Sequence, residues 1–75
     1  SRGLGDVYKR QAGYTYKMVV YNKTTKTWGL VQNFNANNKI TWTAGSAGDR
    51  DFYIDVKDAD GKVVRSSVMN VKTSD

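Results

Sequence analysis

The most regular stretch of the chain is residues 14–21, where apolar and mixed positions alternate with a period of two. Side chains of a β-strand point to opposite faces in turn, so this period predicts a strand with two different faces. One face carries Lys17 and Thr15, which suit water. The other face needs a second layer to cover it, and its members are Tyr14, Tyr16, Met18 and Val20.

Four later segments also have strand patterns, and they occupy residues 27–34, 39–43, 50–57 and 62–72. Polar or glycine-containing turns are predicted between the strands, at residues 22–26, 35–38, 44–49 and 58–61. We expect Gly61 to take positive φ. No segment has the apolar period of a helix. Strands spaced by about eight to twelve residues predict an all-β sandwich or barrel of about five antiparallel strands.

The large apolar side chains are assigned to the inside of this structure. The inward set of residues 27–34 is predicted to be Trp28, Leu30 and Phe34, with Gly29 marking a bulge or a close approach. Among residues 39–57 the inward set is predicted to be Ile40, Trp42, Phe52, Ile54 and Val56, against Tyr53, Asp55 and Lys57 outside. The register of the last strand stays open, since either Met69 and Val71 or Val64 and Val68 could face the core.

Composition narrows the possible functions. The 75 residues include no Cys and no His, so the chain has no disulfide, no thiolate nucleophile and no imidazole base or zinc ligand. Hydrolases that use a Ser–His or Cys–His pair are excluded within this chain. We therefore predict that the protein is not an enzyme and uses no metal or cofactor.

The charge pattern predicts a solvated surface. The formal net charge is +5, and the basic residues are spread along the chain among acids. A nucleic-acid-binding protein more often clusters them on one face, so no nucleic-acid partner is expected. No apolar run approaches the roughly 20 residues that cross a bilayer, so no membrane insertion is expected.

Residues 1–11 differ from the rest of the chain. They show no alternation, and the string from Leu4 to Gln11 closely resembles a translated sequencing-adapter read found at the ends of metagenomic reading frames. We interpret residues 1–11 as a non-native N-terminal segment and residues 12–75 as the domain. The alternative is a native, flexible basic arm. Without this segment nine basic and six acidic residues remain, a net charge of +3.

Several motifs together resemble the triple-tyrosine-motif (Y_Y_Y) family. They are the Tyr14-x-Tyr16-x-Met18 strand, Trp28, the Ile40-Thr-Trp42 strand, Gly48, and the sequence Val56-Lys-Asp-Ala-Asp-Gly61-Lys. The resemblance is to the version found in clostridial and other Firmicute surface proteins, often beside cell-wall amidases. One departure is Arg50, which stands where the family often has a tyrosine.

The resemblance implies an immunoglobulin-like or fibronectin-III-like sandwich. It also implies a non-catalytic accessory module of a secreted or cell-surface bacterial protein, acting as a spacer, a contact for other domains of its parent protein, or a weak binder of cell-wall glycan. Such modules usually have two further strands before the Tyr-x-Tyr strand. We therefore expect an incomplete sandwich whose exposed strand edges could pair with a second copy as a homodimer.

Two groups of acidic residues resemble known sites. Asp58, Asp60 and Gly61 match the start of a calcium loop, but Val63, Val64 and Arg65 follow where ligands are needed, so a hairpin turn is favoured. Asp49 and Asp51 flank Arg50 and could be paired carboxylates of a glycosidase. Surface charges at the start of a strand are the favoured interpretation. The short Gly45-Ser-Ala-Gly48 loop lacks the lysine and helix of a phosphate loop.

The aromatic residues give the candidate site. Tyr14, Tyr16, Trp28, Trp42 and Phe52 are predicted to fill the core. Tyr21 and Tyr53 fall on the outward faces, and exposed aromatic rings can stack on sugars, so these two residues are the predicted ligand contacts. The alternative function is a small β-barrel that binds single-stranded nucleic acid, stacking bases on Tyr21, Trp28 and Tyr53 beside surface lysines.

Overall fold

A computed structural model describes residues 3–7 and 12–74, with the backbone alone described at residues 3–7, 67 and 68. This part of the chain forms β-strands and no helix. The strands are β1 Gly3–Val7, β2 Thr15–Asn22, β3 Thr27–Asn35, β4 Lys39–Thr43, β5 Gly48–Lys57 and β6 Val63–Thr73. All the strand pairs are antiparallel. The prediction of an all-β antiparallel fold is confirmed, and β2–β6 are the five predicted strands.

The structure has one strand more than the five predicted. This strand is β1, which lies within residues 1–11, the segment interpreted as non-native. It pairs with β4 from Gly3 opposite Thr43 to Val7 opposite Lys39. Residues 1–2 and 8–11 of that segment lie outside the described residues, and its non-native origin stays a prediction. The pairing gives β4 a partner that the prediction of five strands did not include.

The described strands form two sheets. One is the two-stranded sheet β1-β4, and the other is a four-stranded sheet in the order β3-β2-β5-β6. Strands β3 and β6 are the edges of the larger sheet, so they are the edges at which pairing with a second copy would occur. That pairing stays a prediction.

One face of the four-stranded sheet, here called the inner face, makes the core with β4. It buries Tyr16 and Met18 of β2 and Phe52 and Ile54 of β5, which pack with Ile40 of β4 and Val71 of β6. The half-buried residues around them are Tyr14, Val20, Val31, Trp42, Val56 and Met69. The inward faces predicted for β2, β4 and β5 are therefore confirmed. The last-strand register is the one with Met69 and Val71 inside, while Val64 is 56% exposed.

The inward assignment of Trp28 and Leu30 is wrong, since these side chains are 60% and 59% exposed. The reason is the register of the β2–β3 hairpin, which sets Trp28 opposite Tyr21 and Leu30 opposite Val19. Directly paired residues share a face, and Tyr21 and Val19 point away from the core.

The pairing of β3 with β2 is irregular near its middle. The register shifts on both sides of Met18, where Gln32 is the partner. Val31 lies at this shift and packs against the core from β3. Extra residues of this kind form β-bulges. Val31 follows Leu30 directly, so it reaches the inner face by the ordinary alternation of a strand.

The predicted turns are closed by hydrogen bonds between polar side chains and the backbone and by a glycine with positive φ. Asn22 Oδ1 accepts hydrogen bonds from the backbone N–H groups of Thr24 and Thr25, which closes the β2–β3 turn. Asp58 Oδ1 accepts from the N–H groups of Asp60 and Lys62, and Gly61 has φ +86°. The hairpin interpretation of residues 58–61 is therefore confirmed. Gly29 marks a close approach, as a Cβ there would lie 3.3 Å from Val20 Cγ1.

Candidate functional site

The candidate site is the face of the four-stranded sheet that points away from β4, here called the open face. Its side chains come from alternate positions of β2 and β5 and from the strands paired with them, β3 and β6. The residues that define it are Lys17, Val19, Tyr21, Trp28, Leu30, Phe34, Tyr53, Lys57 and Arg65.

Three aromatic rings form the centre of the open face. The ring centroids of Tyr21 and Trp28 lie 4.8 Å apart with their planes tilted by 49°. Those of Trp28 and Tyr53 lie 5.6 Å apart with a tilt of 44°. These distances are typical of favourable aromatic pairs. The two tyrosines are half-buried and support the indole, which leaves Trp28 as the most exposed ring of the three.

A cationic end lies on the same face, toward the start of β2. Lys57 Nζ is 4.1 Å and Lys17 Nζ 5.5 Å from the centroid of the Phe34 ring. The predicted inward position of Phe34 is therefore wrong, because its ring contacts two lysines of the open face. The Arg65 guanidinium lies over Tyr53, 5.1 Å from the ring centroid, and links this end to the aromatic centre.

The cationic end contains an ion pair between Arg65 and Asp55. Arg65 donates from Nε to Asp55 Oδ1 over 2.7 Å and from Nη2 to Asp55 Oδ2 over 3.1 Å. The hydrogen bonds from Arg65, aided by the charges of Arg65 and Lys17, hold the pKa of Asp55 below its ordinary value despite the opposing effect of burial. The pairing raises the pKa of Arg65, with the hydrogen bond to Asp55 as the main cause. Asp55 is thus a neutralised charge beneath the half-buried Lys17 and Lys57 and the exposed Arg65.

An acidic end lies beyond the aromatic centre. Asn70 Nδ2 donates to Asp49 Oδ1 and Asp51 Oδ1, 2.7 Å from each. Asp49 also lies 3.9 Å from Lys23 Nζ. Asp49 and Asp51, whose carboxylates were predicted to lie near each other, accept hydrogen bonds from the same Asn70 amide group. These bonds link the start of β5 to β6. This structural use agrees with the favoured interpretation of both as surface charges.

Arg50, where the resembled family often has a tyrosine, lies on the inner face. Its guanidinium is 5.1 Å from the Trp42 ring centroid. It donates to Ser46 O, Ser46 Oγ and Thr73 Oγ1 over 3.0–3.2 Å. Trp42 in turn packs edge-on against Phe52 with 4.9 Å between centroids. Arg50 is therefore a cation packed on Trp42 and bonded to the loop before β5 and to β6, while Tyr53 belongs to the open face.

Other kinds of site find no support in the described residues. Among the residues whose side chains are described, 12–66 and 69–74, there is no group of three or more acidic, His or Cys side chains that could hold a metal ion. The described part of the chain also contains no helix long and apolar enough to cross a membrane.

Sequence reasoning located part of this site. Tyr21 and Tyr53 are on the outward face as predicted, and their role as ligand contacts stays a prediction. Trp28 and Leu30, the most exposed members, were missed as outward residues because large apolar side chains favour a core position. The signal that could have found Trp28 is the short loop after Asn22, which sets Trp28 opposite Tyr21 across the hairpin.

Comparisons with protein-family models, with curated proteins and with solved structures found no match to this chain.

Proposed function

We propose that this domain is a non-catalytic accessory module of a secreted or cell-surface bacterial protein, and that it binds cell-wall carbohydrate through the open face. The observation that carries the proposal is Trp28, a tryptophan 60% exposed in a small domain and supported by two tyrosines. A contiguous, exposed apolar surface on a small protein commonly marks an interaction site.

The aromatic centre suits a sugar ring for physical reasons. Tyr21 and Tyr53 limit the motion of the indole, so little side-chain entropy is lost when a ligand covers it. The C–H-rich face of a sugar can then displace water from the exposed ring, while its hydroxyl groups stay solvated or reach polar side chains at the edge. Leu30, 59% exposed on the same strand, extends the apolar surface.

A pull-down on purified bacterial cell walls tests the proposal. We expect Trp28→Ala to weaken binding by about 2 kcal/mol or more, as for a central aromatic contact. Tyr21→Ala and Tyr53→Ala should weaken it less. Val64→Ala is the matched control, since it removes an exposed apolar side chain on the edge strand β6. Wild-type binding by a folded Trp28→Ala variant would refute the proposal.

A second candidate function, single-stranded nucleic-acid binding, is favoured by one observation. Lys17, Lys57 and Arg65 share the open face with the aromatic centre, which is the combination that such proteins use to hold phosphates and stack bases. Titration with a single-stranded oligonucleotide at several salt concentrations separates the two candidates. Nucleic-acid binding must weaken steeply with salt.

For the architecture, we propose that the two sheets form a sandwich of the immunoglobulin-like, triple-tyrosine type. Support comes from the Tyr16, Trp42 and Phe52 core between the sheets. We also propose that β3 or β6 can pair with a second copy, because each is an edge strand. Sedimentation over a range of protein concentrations tests the pairing, and a strict monomer would exclude it.

A further inference from the structure

The open face is polarised along the strand direction. On β2, Tyr21 belongs to the aromatic centre and Lys17 to the cationic end, four residues apart. A strand rises by about 3.3 Å per residue, which separates the two positions by about 13 Å. Asp51 lies opposite both Tyr21 and Asn70, level with the Tyr21–Trp28 part of the aromatic centre, and Asp49 lies two residues further from the cationic end.

The cationic end carries more positive charge than its one carboxylate neutralises. Arg65 is paired with Asp55, and Lys17 lies near enough to influence the same carboxylate. Lys57 is held over the Phe34 ring. Counting Lys17, Lys57 and Arg65 against Asp55 leaves a net charge of +2 at this end. The aromatic rings hold these cations on the face without neutralising them, so they stay attractive to an anion.

Resting on the proposed function, we propose that the ligand is an anionic cell-wall glycan. A neutral sugar lies on Trp28, and a phosphate of the same chain lies between Lys17 and Lys57. The charge complementarity is local, because the cationic end carries a net charge of +2, whereas Asp49 and Asp51 at the other end are accompanied by Lys23 and Lys72 and offer an anion no net attraction. This polarity disfavours nucleic acid, whose phosphates recur at every nucleotide and would pass beside Asp51.

The test uses two forms of one wall preparation. Gram-positive cell walls carrying their anionic phosphate polymers are compared with the same walls after those polymers are removed with hydrofluoric acid. We expect the wild-type domain to bind the intact walls about tenfold more tightly than the stripped walls, the change expected for two exposed ion pairs. The Lys17→Gln/Lys57→Gln variant should bind both preparations as the wild type binds stripped walls.

The control removes two charges elsewhere. Lys26→Gln/Lys39→Gln has the same net charge as the test variant but alters the β2–β3 turn and β4, away from the cationic end. It should keep the preference for intact walls. Equal loss in both double variants would show a general charge effect and overturn the inference.

The remaining outcomes separate this inference from the proposed function. Equal binding of the wild type to intact and stripped walls, abolished by Trp28→Ala, would overturn the anionic ligand and leave the glycan proposal standing. Binding to neither preparation would overturn both. Tighter binding to a single-stranded oligonucleotide than to intact walls would assign the face to nucleic acid.

Discussion

The two faces of the four-stranded sheet are built from alternate residues of the same strands, yet only one of them is a core. On β5, Phe52 and Ile54 are buried, while Tyr53 between them is half-buried under Trp28 and Arg65. The difference is the presence of β4, which supplies Ile40 and Trp42 to the inner face. Both faces carry aromatic residues, so aromatic content alone does not decide which face is covered.

The two tryptophans show the same contrast. Trp42 is half-buried, packed on Phe52 and under the guanidinium of Arg50. Trp28 contacts two tyrosines and keeps most of its surface in water. An indole used for packing and one available to a ligand thus occur in one small domain, and they can be changed independently.

The largest difference between the faces should appear in the neighbours Phe52 and Tyr53. Phe52→Ala leaves a cavity in the core and should lower the free energy of unfolding by about 3–5 kcal/mol. Tyr53→Ala removes a cross-strand aromatic contact and should lower it by about 1 kcal/mol or less. Urea unfolding followed by circular dichroism measures both.

A small domain has little stability to lose, and a loss of this size is enough to unfold Phe52→Ala completely. Phe52→Leu then serves as the milder variant, and it should still destabilise the domain more than Tyr53→Leu. Equal losses at the two positions would contradict the distinction between a covered and an open face.

An intermediate effect is expected from the ion pair beneath the open face. The folded-state pKa of Asp55 is lowered by Arg65, so the pair contributes stability that is fully present above the ordinary aspartate value of about 3.9. This contribution is lost as the pH falls through the lower, folded-state value. Asp55→Asn should therefore flatten the acid side of the curve of melting temperature against pH.

The control for this measurement is Asp60→Asn in the β5–β6 turn, whose side chain is exposed. It should leave the acid side of the curve as steep as in the wild type. The same slope in wild type and Asp55→Asn would show that the pair does not contribute to acid sensitivity.

The smallest effect on stability, but a clear spectroscopic one, is expected from the tryptophans. Trp28→Phe keeps a ring on an exposed position and should change the free energy of unfolding by about 0.5 kcal/mol or less. It leaves Trp42 as the only indole, as Trp42→Phe leaves Trp28. Acrylamide should quench the fluorescence of the variant that keeps Trp28 more strongly. Equal quenching would place both indoles in similar surroundings.

The sequence was sufficient for strands whose alternation is strict. From Tyr16 to Val20 in β2 and from Phe52 to Val56 in β5 every second side chain is apolar or aromatic, so the inner face followed directly from the pattern. The turns at Asn22 and Asp58 could also be predicted, because their side chains bond to backbone N–H groups within four residues.

The sequence was insufficient where the pairing of strands decides which face of the sheet a side chain occupies. In β3 the apolar residues Trp28 and Leu30 lie on the open face, because the β2–β3 hairpin sets them opposite Tyr21 and Val19, while Val31 at the next position packs on the inner face. The pattern of a single strand shows which residues share a face but not which face the rest of the fold covers. The cationic end could not be predicted for a similar reason, since Lys17, Lys57 and Arg65 come from three strands whose order is a property of the sheet.

Arg50 has a consequence for how the domain responds to tension. Its guanidinium bonds to Ser46 in the loop before β5 and to Thr73 at the last position of β6. A pull on the C-terminus would peel an edge strand from this end first, and it must break these bonds and expose a buried cation before the β5–β6 ladder opens. Arg50 thus fastens the last residue of β6 to the loop before β5 at the position where such a pull would first reach the sheet.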